Sequence, residues 1–454
     1  MNAPQPFGWF SIFRLGLVQT ALGSIVVLTT STMNRVMVVE YALPAMLPGI
    51  LVGLHYAIQL ARPRFGYGSD VGGRSTPWIV GGMAILAIGG IGAAIATAWM
   101  ATNSVAGIAL AFVAFGLIGV GVGASGTSLL ALLARRVDER RRAAAATIVW
   151  VMMIAGFVVT AGTAGHFLDP FSPSRLVAVA SVVACAAFLV TLAAIYNIET
   201  EGRSAPRGAD VSATKVPFRD ALRDVWSEPR ARRFTVFVFV SMLAYSAQDL
   251  ILEPFAGTLF GYTPGQSTQL SGTQNAGVLL GMILVGVAGS AKIGGRWGSM
   301  RVWSIAGCVA SAASLLGLSM AAFHAPGWPL AASVFALGVS NGAFAVAAIG
   351  SMMTLASVGR AEREGVRMGV WGAAQAVAFG LGGFLGTVAI DIARTLLNSA
   401  GSAYAAVFAG EGLLFLVAGV LAANINYAGH AHREVRAPQL RRFAMSPSAG
   451  GDRP

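Results

Sequence analysis

The chain carries one motif twice. Residues 66–74 read Gly-Tyr-Gly-Ser-Asp-Val-Gly-Gly-Arg, and residues 288–296 read Ala-Gly-Ser-Ala-Lys-Ile-Gly-Gly-Arg. Arg74 and Arg296 stand 222 positions apart. Trp150 and Trp371 keep nearly that offset, each following an arginine-rich segment and opening an apolar, Gly-rich run. A period of half the chain is far longer than a solenoid unit. It predicts two homologous halves, the construction of many transporter-like membrane folds.

The composition requires a membrane. Only 11% of the 454 residues are charged and 56% are hydrophobic, against about 25% charged in a soluble domain. A helix needs about 20 apolar residues to cross a bilayer. Twelve runs qualify: 13–33, 43–61, 78–100, 105–133, 143–166, 176–196, 233–256, 271–291, 302–323, 327–357, 367–393 and 403–425. They are long and continuous and lack the alternation of a barrel strand. The expected fold is therefore an all-α membrane protein of twelve transmembrane helices in two pseudo-symmetric six-helix halves. Gly is abundant, 57 residues, as suits helices whose backbones must approach closely. The pairs Gly119/Gly123, Gly277/Gly281 and Gly382/Gly386 predict such contacts.

The division follows. Residues 1–196 form the N-terminal half and 233–425 the C-terminal half. Residues 197–232 form a cytoplasmic linker in which Pro217 opens an amphipathic surface helix. Residues 426–454 form a basic, disordered cytoplasmic tail. With the N-terminus inside, only Arg35, Arg175 and Arg394 of the 31 Lys and Arg fall outside. That asymmetry predicts an inner-membrane protein with both termini cytoplasmic. It also accounts for the net charge of +12 without nucleic acid. No cleavable leader is expected, because the first apolar run is too long for one.

Polar groups that interrupt the runs are the candidate site, since each is costly to place near lipid. Asn34, Arg35 and Glu40 close the first helix. Gln248, Asp249 and Glu253 close the seventh, its repeat partner. A salt bridge from Arg35 to Asp249 or Glu253 across the pseudo-two-fold axis is one reading, and contact with cargo is the other. Glu411 lies within the twelfth helix. His55 is a candidate pigment ligand in the second helix; His166 and His324 lie near outer helix ends. Cys185 and Cys308 form neither a disulfide framework nor a metal motif. The sequence shows no nucleotide loop, catalytic triad or metal cluster, so no enzyme chemistry is expected.

Gly66, Asp70, Gly73 and Arg74 match the loop between helices 2 and 3 of the major facilitator superfamily. Lys292 replaces the acid in the second copy. Asn34-Arg35-Val36-Met37-Val38-Val39-Glu40, Gln248-Asp249-Leu250-Ile251-Leu252-Glu253-Pro254-Phe255 and Trp371-Gly372-Ala373-Ala374-Gln375 are more specific. Together they resemble the PucC family, also called the bacteriochlorophyll delivery family, over residues 10–425. The short loop Gly68–Trp78 resembles the branch found among bacteriochlorophyll biosynthesis genes. The resemblance implies a photosynthetic membrane, either cytoplasmic or intracytoplasmic. It also implies (bacterio)chlorophyll as bound cargo and a role in assembling light-harvesting complexes. The implied partners are the lipid bilayer with antenna polypeptides or pigment-synthesis enzymes. Two other functions stay open: a proton-coupled transporter of a small amphiphile, and a pigment-free assembly scaffold.

Overall fold

A computed structural model describes residues 7–62, 74–138, 141–199, 226–288, 299–357 and 364–425. Twelve helices succeed one another: α1 Trp9–Glu40, α2 Met46–Gln59, α3 Thr76–Met100, α4 Ser104–Arg136, α5 Arg142–Leu168 and α6 Pro173–Ile195. The second six begin with α7, Pro229–Ala247, which continues after a break as Leu252–Phe260. Then come α8 Pro264–Ala288, α9 Met300–His324, α10 Leu330–Ser357, α11 Glu364–Leu397 and α12 Ala400–Ala423. Eleven are long and apolar enough to span a bilayer; α2, with 14 residues, is shorter than the expected 43–61. The loop glycines Gly66 and Gly73, Asp70, most of the linker and the tail from 426 lie outside the described residues.

The helix ends follow local chemistry. Asn103, Ser172 and Ser399 cap α4, α6 and α12 by accepting the amides of Ala106, Arg175 and Ser402. A capping oxygen satisfies an amide that the first helical turn leaves without a partner. Gly261, at φ +69°, ends the second arm of α7 in the left-handed conformation that a side chain disfavours.

The apolar core forms two main clusters. One joins Ile12, Leu15, Met83, Leu86, Phe115 and Leu129 of the first six helices. The other joins Phe234, Phe237, Phe344, Tyr404, Phe408 and Phe415 of the last six. The halves meet mainly where α5 packs on α8 and α2 on α11. Outward-facing apolar side chains such as Ile88, Val182, Leu189, Leu413 and Val420 are exposed. A lipid bilayer accepts such faces, because acyl chains are as apolar as the side chains.

Two of the three small-residue pairs, Gly277/Gly281 and Gly382/Gly386, act as expected of packing motifs, and Gly119 of the third faces the His55 carbonyl. A methyl group at Gly281 would sit 2.1 Å from the Val339 carbonyl oxygen, and one at Gly277 2.3 Å from that of Phe335, on α10. Gly382 and Gly386 of α11 admit the backbone of α7 in the same way.

Candidate functional site at the broken helices

Neither α1 nor α7 is a regular helix at its far end. Helix α1 contains two π turns, Leu28–Thr32 and Val36–Glu40, around the α-helical triplet Met33–Arg35. Helix α7 breaks into a 3-10 turn at Gln248–Leu250 before resuming. Such departures often mark functional positions, and broken helices at depth are tolerated only where protein or a cavity satisfies the backbone. Of the polar residues singled out above, Glu40, Gln248 and Asp249 lie in these irregular turns, Asn34 and Arg35 in the triplet between the π turns, and Glu253 at the start of the second arm of α7.

The breaks face each other across the halves. Asn34 is buried and donates from Nδ2 to the Leu250 carbonyl oxygen at 2.6 Å. Thr32 and Thr268 share a hydroxyl hydrogen bond of 2.9 Å. Arg35 is 2% exposed. It donates to the Tyr262 carbonyl oxygen of the opposite half at 2.5 Å and forms an ion pair with Glu40 of its own helix. The π turn explains that partner. In a regular α-helix a residue five positions on is rotated roughly 140° away; a π turn brings it back onto one face.

The acids of α7 are placed differently from Glu40. Glu253 is buried, lies within the electrostatic reach of Arg35, and has Ser267 and Ser271 of α8 beside it. Its carboxylate oxygens meet no hydrogen-bond partner among the described residues. The expected bridge from Arg35 is therefore made to a carbonyl and to Glu40, not as a hydrogen-bonded pair with the α7 acids. Gln248 is fully buried, and its amide is likewise without a described partner.

Asp249 belongs to a second environment. It is exposed, whereas its neighbours Gln248 and Leu250 are buried. Its charge acts on Tyr56 of α2, Tyr245 of α7 and Glu411 of α12. Phe379 of α11 packs against both tyrosines, with ring centroids 5.8 Å from Tyr56 and 5.7 Å from Tyr245. Glu411 is 4% exposed, and its carboxylate has no described hydrogen-bond partner. The result is an aromatic wall with two acids, contributed by four helices of both halves. Tyr56, Tyr245 and Phe379 escaped the sequence reading, because an aromatic residue in an apolar run carries no sign of which way it faces.

The remaining candidates separate from this space. His55 is buried, with Nε2 2.8 Å from the Gln59 amide nitrogen and its ring edge-on to Tyr56. Its described polar contact is thus structural. His166 is exposed, and exposed His324 pairs through Nδ1 with the Met320 carbonyl oxygen. Arg74 is exposed and lies 3.9 Å from Glu199, within its own half. Glu199 also accepts the amides of Ser75 and Thr76, capping α3. Among the described residues no group of three or more His, Cys, Asp or Glu could hold a metal.

At the end of the bundle that carries the 1–2, 5–6 and 7–8 connections, a cleft of about 570 Å³ opens between the halves. Arg35, Glu40, Asp169, Gly257, Tyr262 and Thr263 are among its lining residues. Beside it, Asp169 of the 5–6 connection accepts the Thr263 hydroxyl at 2.6 Å and the Gly265 amide at 3.2 Å. Asp391 of α11 accepts the amides of Ala45 and Met46 at 3.1 and 2.7 Å. Neither aspartate was singled out from the sequence.

The comparisons with known proteins agree with this architecture. Among solved structures, a peptide transporter POT in complex with sulfate has TM-score 0.66 at 14% identity, covering 93% of this chain and 96% of that one. A nucleoside transporter NupG has TM-score 0.65 at 14% identity, covering 91% and 99%. At such identities the likeness is one of fold, that of the major facilitator superfamily. The sequence is 51% identical over 426 residues to the "Bacteriochlorophyll synthase 44.5 kDa chain" of Rhodobacter capsulatus, covering 94% of this chain and 97% of that protein. It is 31% identical to "Protein PucC" of the same organism, with 90% of each chain covered. The family described as PUCC protein matches residues 32–429, and the chain belongs to that family of multi-pass membrane proteins.

Proposed function

We propose that this chain binds a (bacterio)chlorophyll-type pigment between its halves and passes it to antenna polypeptides as light-harvesting complexes assemble. The observation that carries the reading is the wall of Tyr56, Tyr245 and Phe379 beside Asp249 and Glu411. Flat aromatic faces suit a planar macrocycle, and a few polar groups can fix its orientation. The relatives' names supply the pigment class. The role is non-covalent: we assign binding and release to these residues and no bond-making step, although one relative is named a synthase. His55 meets Gln59 through Nε2, which leaves Nδ1 as the ring nitrogen that could meet the pigment's magnesium. The basic-residue asymmetry supports an inner membrane with both termini cytoplasmic, and the relatives' names support a photosynthetic one.

A second reading is proton-coupled transport of a small amphiphile. The observation favouring it is Asp249, exposed and within the field of Glu411, on a fold shared with transporters. Purification in mild detergent from a pigmented host separates the readings. Pigment delivery predicts a red-most (Qy) absorption band that co-elutes with the protein and is lost in Tyr56→Ala/Phe379→Ala. A colourless protein that drives proton-dependent uptake in proteoliposomes would replace it with the second reading. A colourless protein that co-purifies with antenna polypeptides but moves no solute would leave a scaffold.

A further inference from the structure

Asp169 and Asp391 are 222 positions apart, the spacing of Arg74 and Arg296. They are therefore repeat equivalents. Each ends or nears the end of a repeat-related helix, α5 or α11, and each crosses to the opposite half. Asp169 meets the start of α8 through the Thr263 hydroxyl and the Gly265 amide. Asp391 meets the start of α2, the repeat partner of α8, through the amides of Ala45 and Met46.

The approach is duplicated too. One turn before each aspartate stands a small residue, Gly165 or Thr387, again 222 apart. A methyl group at Gly265 would sit 2.4 Å from the Gly165 carbonyl oxygen and 2.4 Å from Asp169 Oδ2. One at Gly49 would sit 2.1 Å from Thr387 Oγ1. Both crossings are close, against the Gly165 backbone in one and the Thr387 side chain in the other, and the aspartates reach the first amides of the facing helices. A carboxylate at a helix N-terminus gains from otherwise unpaired amides and from the helix dipole. The hydrogen bonds of Thr32 to Thr268, Asn34 to Leu250 and Arg35 to Tyr262 lie at the same end of the bundle.

We propose that Asp169 and Asp391 form a duplicated clasp that holds the halves shut at this end, and whose release opens the interior to that side. The contacts are few, polar and local, as befits a contact that must break without unfolding either half. Each acid is held by two donors from the other half, so parting the halves forfeits both pairs at once. The proposal is independent of the cargo.

Cysteine reactivity tests it on the full-length, detergent-purified protein. Cys185 is exposed and is replaced by Ser; Cys308 is buried and stays as an internal control. Thr268→Cys places the probe where the side chain is 0% exposed, against Thr32. Asparagine at 391 keeps the shape but turns an NH2 group toward an amide donor; at 169 it removes the charge that both donors meet. Losing one charge-assisted hydrogen bond should shift an open–closed ratio about tenfold. Asp169→Asn/Asp391→Asn should therefore speed N-ethylmaleimide labelling at position 268 by tenfold or more, while Cys308 stays silent. Each single substitution, and Thr263→Val, should give a smaller rise, and these variants decide the matter if the double variant does not fold. Unchanged labelling at 268 would overturn the proposal. So would labelling that rises equally at Cys308, since that reports general loosening.

Discussion

The side-chain amide of Asn34 closes on the Leu250 carbonyl oxygen at 2.6 Å, tying the irregular turn of α1 to the break in α7. The bond is buried and joins the two halves. It uses a carbonyl at the 3-10 turn, where the helical ladder is interrupted. Asn34→Ala removes the donor and leaves that carbonyl unpaired. Polar contacts between membrane helices are worth about 0.6–2 kcal/mol. We expect a lower apparent melting temperature in detergent, with Asn34→Leu no better than Ala. An unchanged melting curve for both would show that the bond contributes nothing to stability.

Arg35 should be the more sensitive member of its pair. It is buried and Glu40 reaches the surface. Removing one partner of a buried ion pair costs roughly 3–5 kcal/mol, because the other charge is stranded. Arg35→Ala therefore strands both the Tyr262 carbonyl and the nearby Glu253, whereas Glu40→Ala strands a guanidinium that still holds Tyr262. The expected order of stability is wild type, then Glu40→Ala, then Arg35→Ala. Adding Glu253→Gln should recover part of the Arg35→Ala loss. No recovery would mean that the Arg35–Glu253 field has no energetic weight.

Backbone proximity gives a graded test of packing. At Gly338 a methyl group would sit 2.1 Å from the Gln274 carbonyl oxygen, while at Gly81 nothing lies within 4 Å. Overpacking costs about 1–3 kcal/mol. Gly338→Ala should melt earlier than wild type, and Gly81→Ala should match or exceed it. Equal melting of the two variants would contradict the close α8–α10 crossing.

Glu411→Gln and Asp249→Asn separate function from structure. Both keep shape and remove charge beside the aromatic wall. If the wall receives cargo, the variants should accumulate normally in the membrane while antenna absorption falls. A parallel fall of protein level would instead assign these acids to folding. No change in either quantity would move the cargo site elsewhere.

Reporter fusions at residues 210 and 440 test orientation. The arginine and lysine distribution predicts a cytoplasmic signal from both. A periplasmic signal at either position would invert or break the twelve-helix topology.

The number and order of the helices were legible because lipid demands long apolar runs. The ends were not. The apolar run of α1 stops at 33, yet the helix continues to Glu40; α8 begins at Pro264, not 271. The stretch Pro264–Leu270 is polar, but Ser267 and Thr268 are fully buried against other helices. Hydropathy understates a helix whose polar residues find protein partners. Asn34, Arg35, Glu253 and Glu411 could be named because polar groups stand out in an apolar sequence. Their partners could not, since π turns leave no recognisable local pattern. Asp169 and Asp391 look like ordinary solvated acids near helix ends. Only extending the 222-residue register from the loop motif to every acid would have paired them.

The clasps also bear on how the gene can change. Asp391 is answered by the backbone amides of Ala45 and Met46, and no side-chain replacement other than proline deletes an amide hydrogen. One side of that contact is thus shielded from most missense mutations. Sequence drift should be broad at exposed Met46, confined to small residues at buried Ala45, and narrow at 391. Gly265 also answers with its amide, but any side chain there would meet Gly165 and Asp169, and the Thr263 hydroxyl is encoded by its side chain, so both positions should drift as little as the aspartate. A genetic screen for leaky variants should therefore return lesions at the aspartates, at Thr263 and at Gly265, and leave position 46 almost blank.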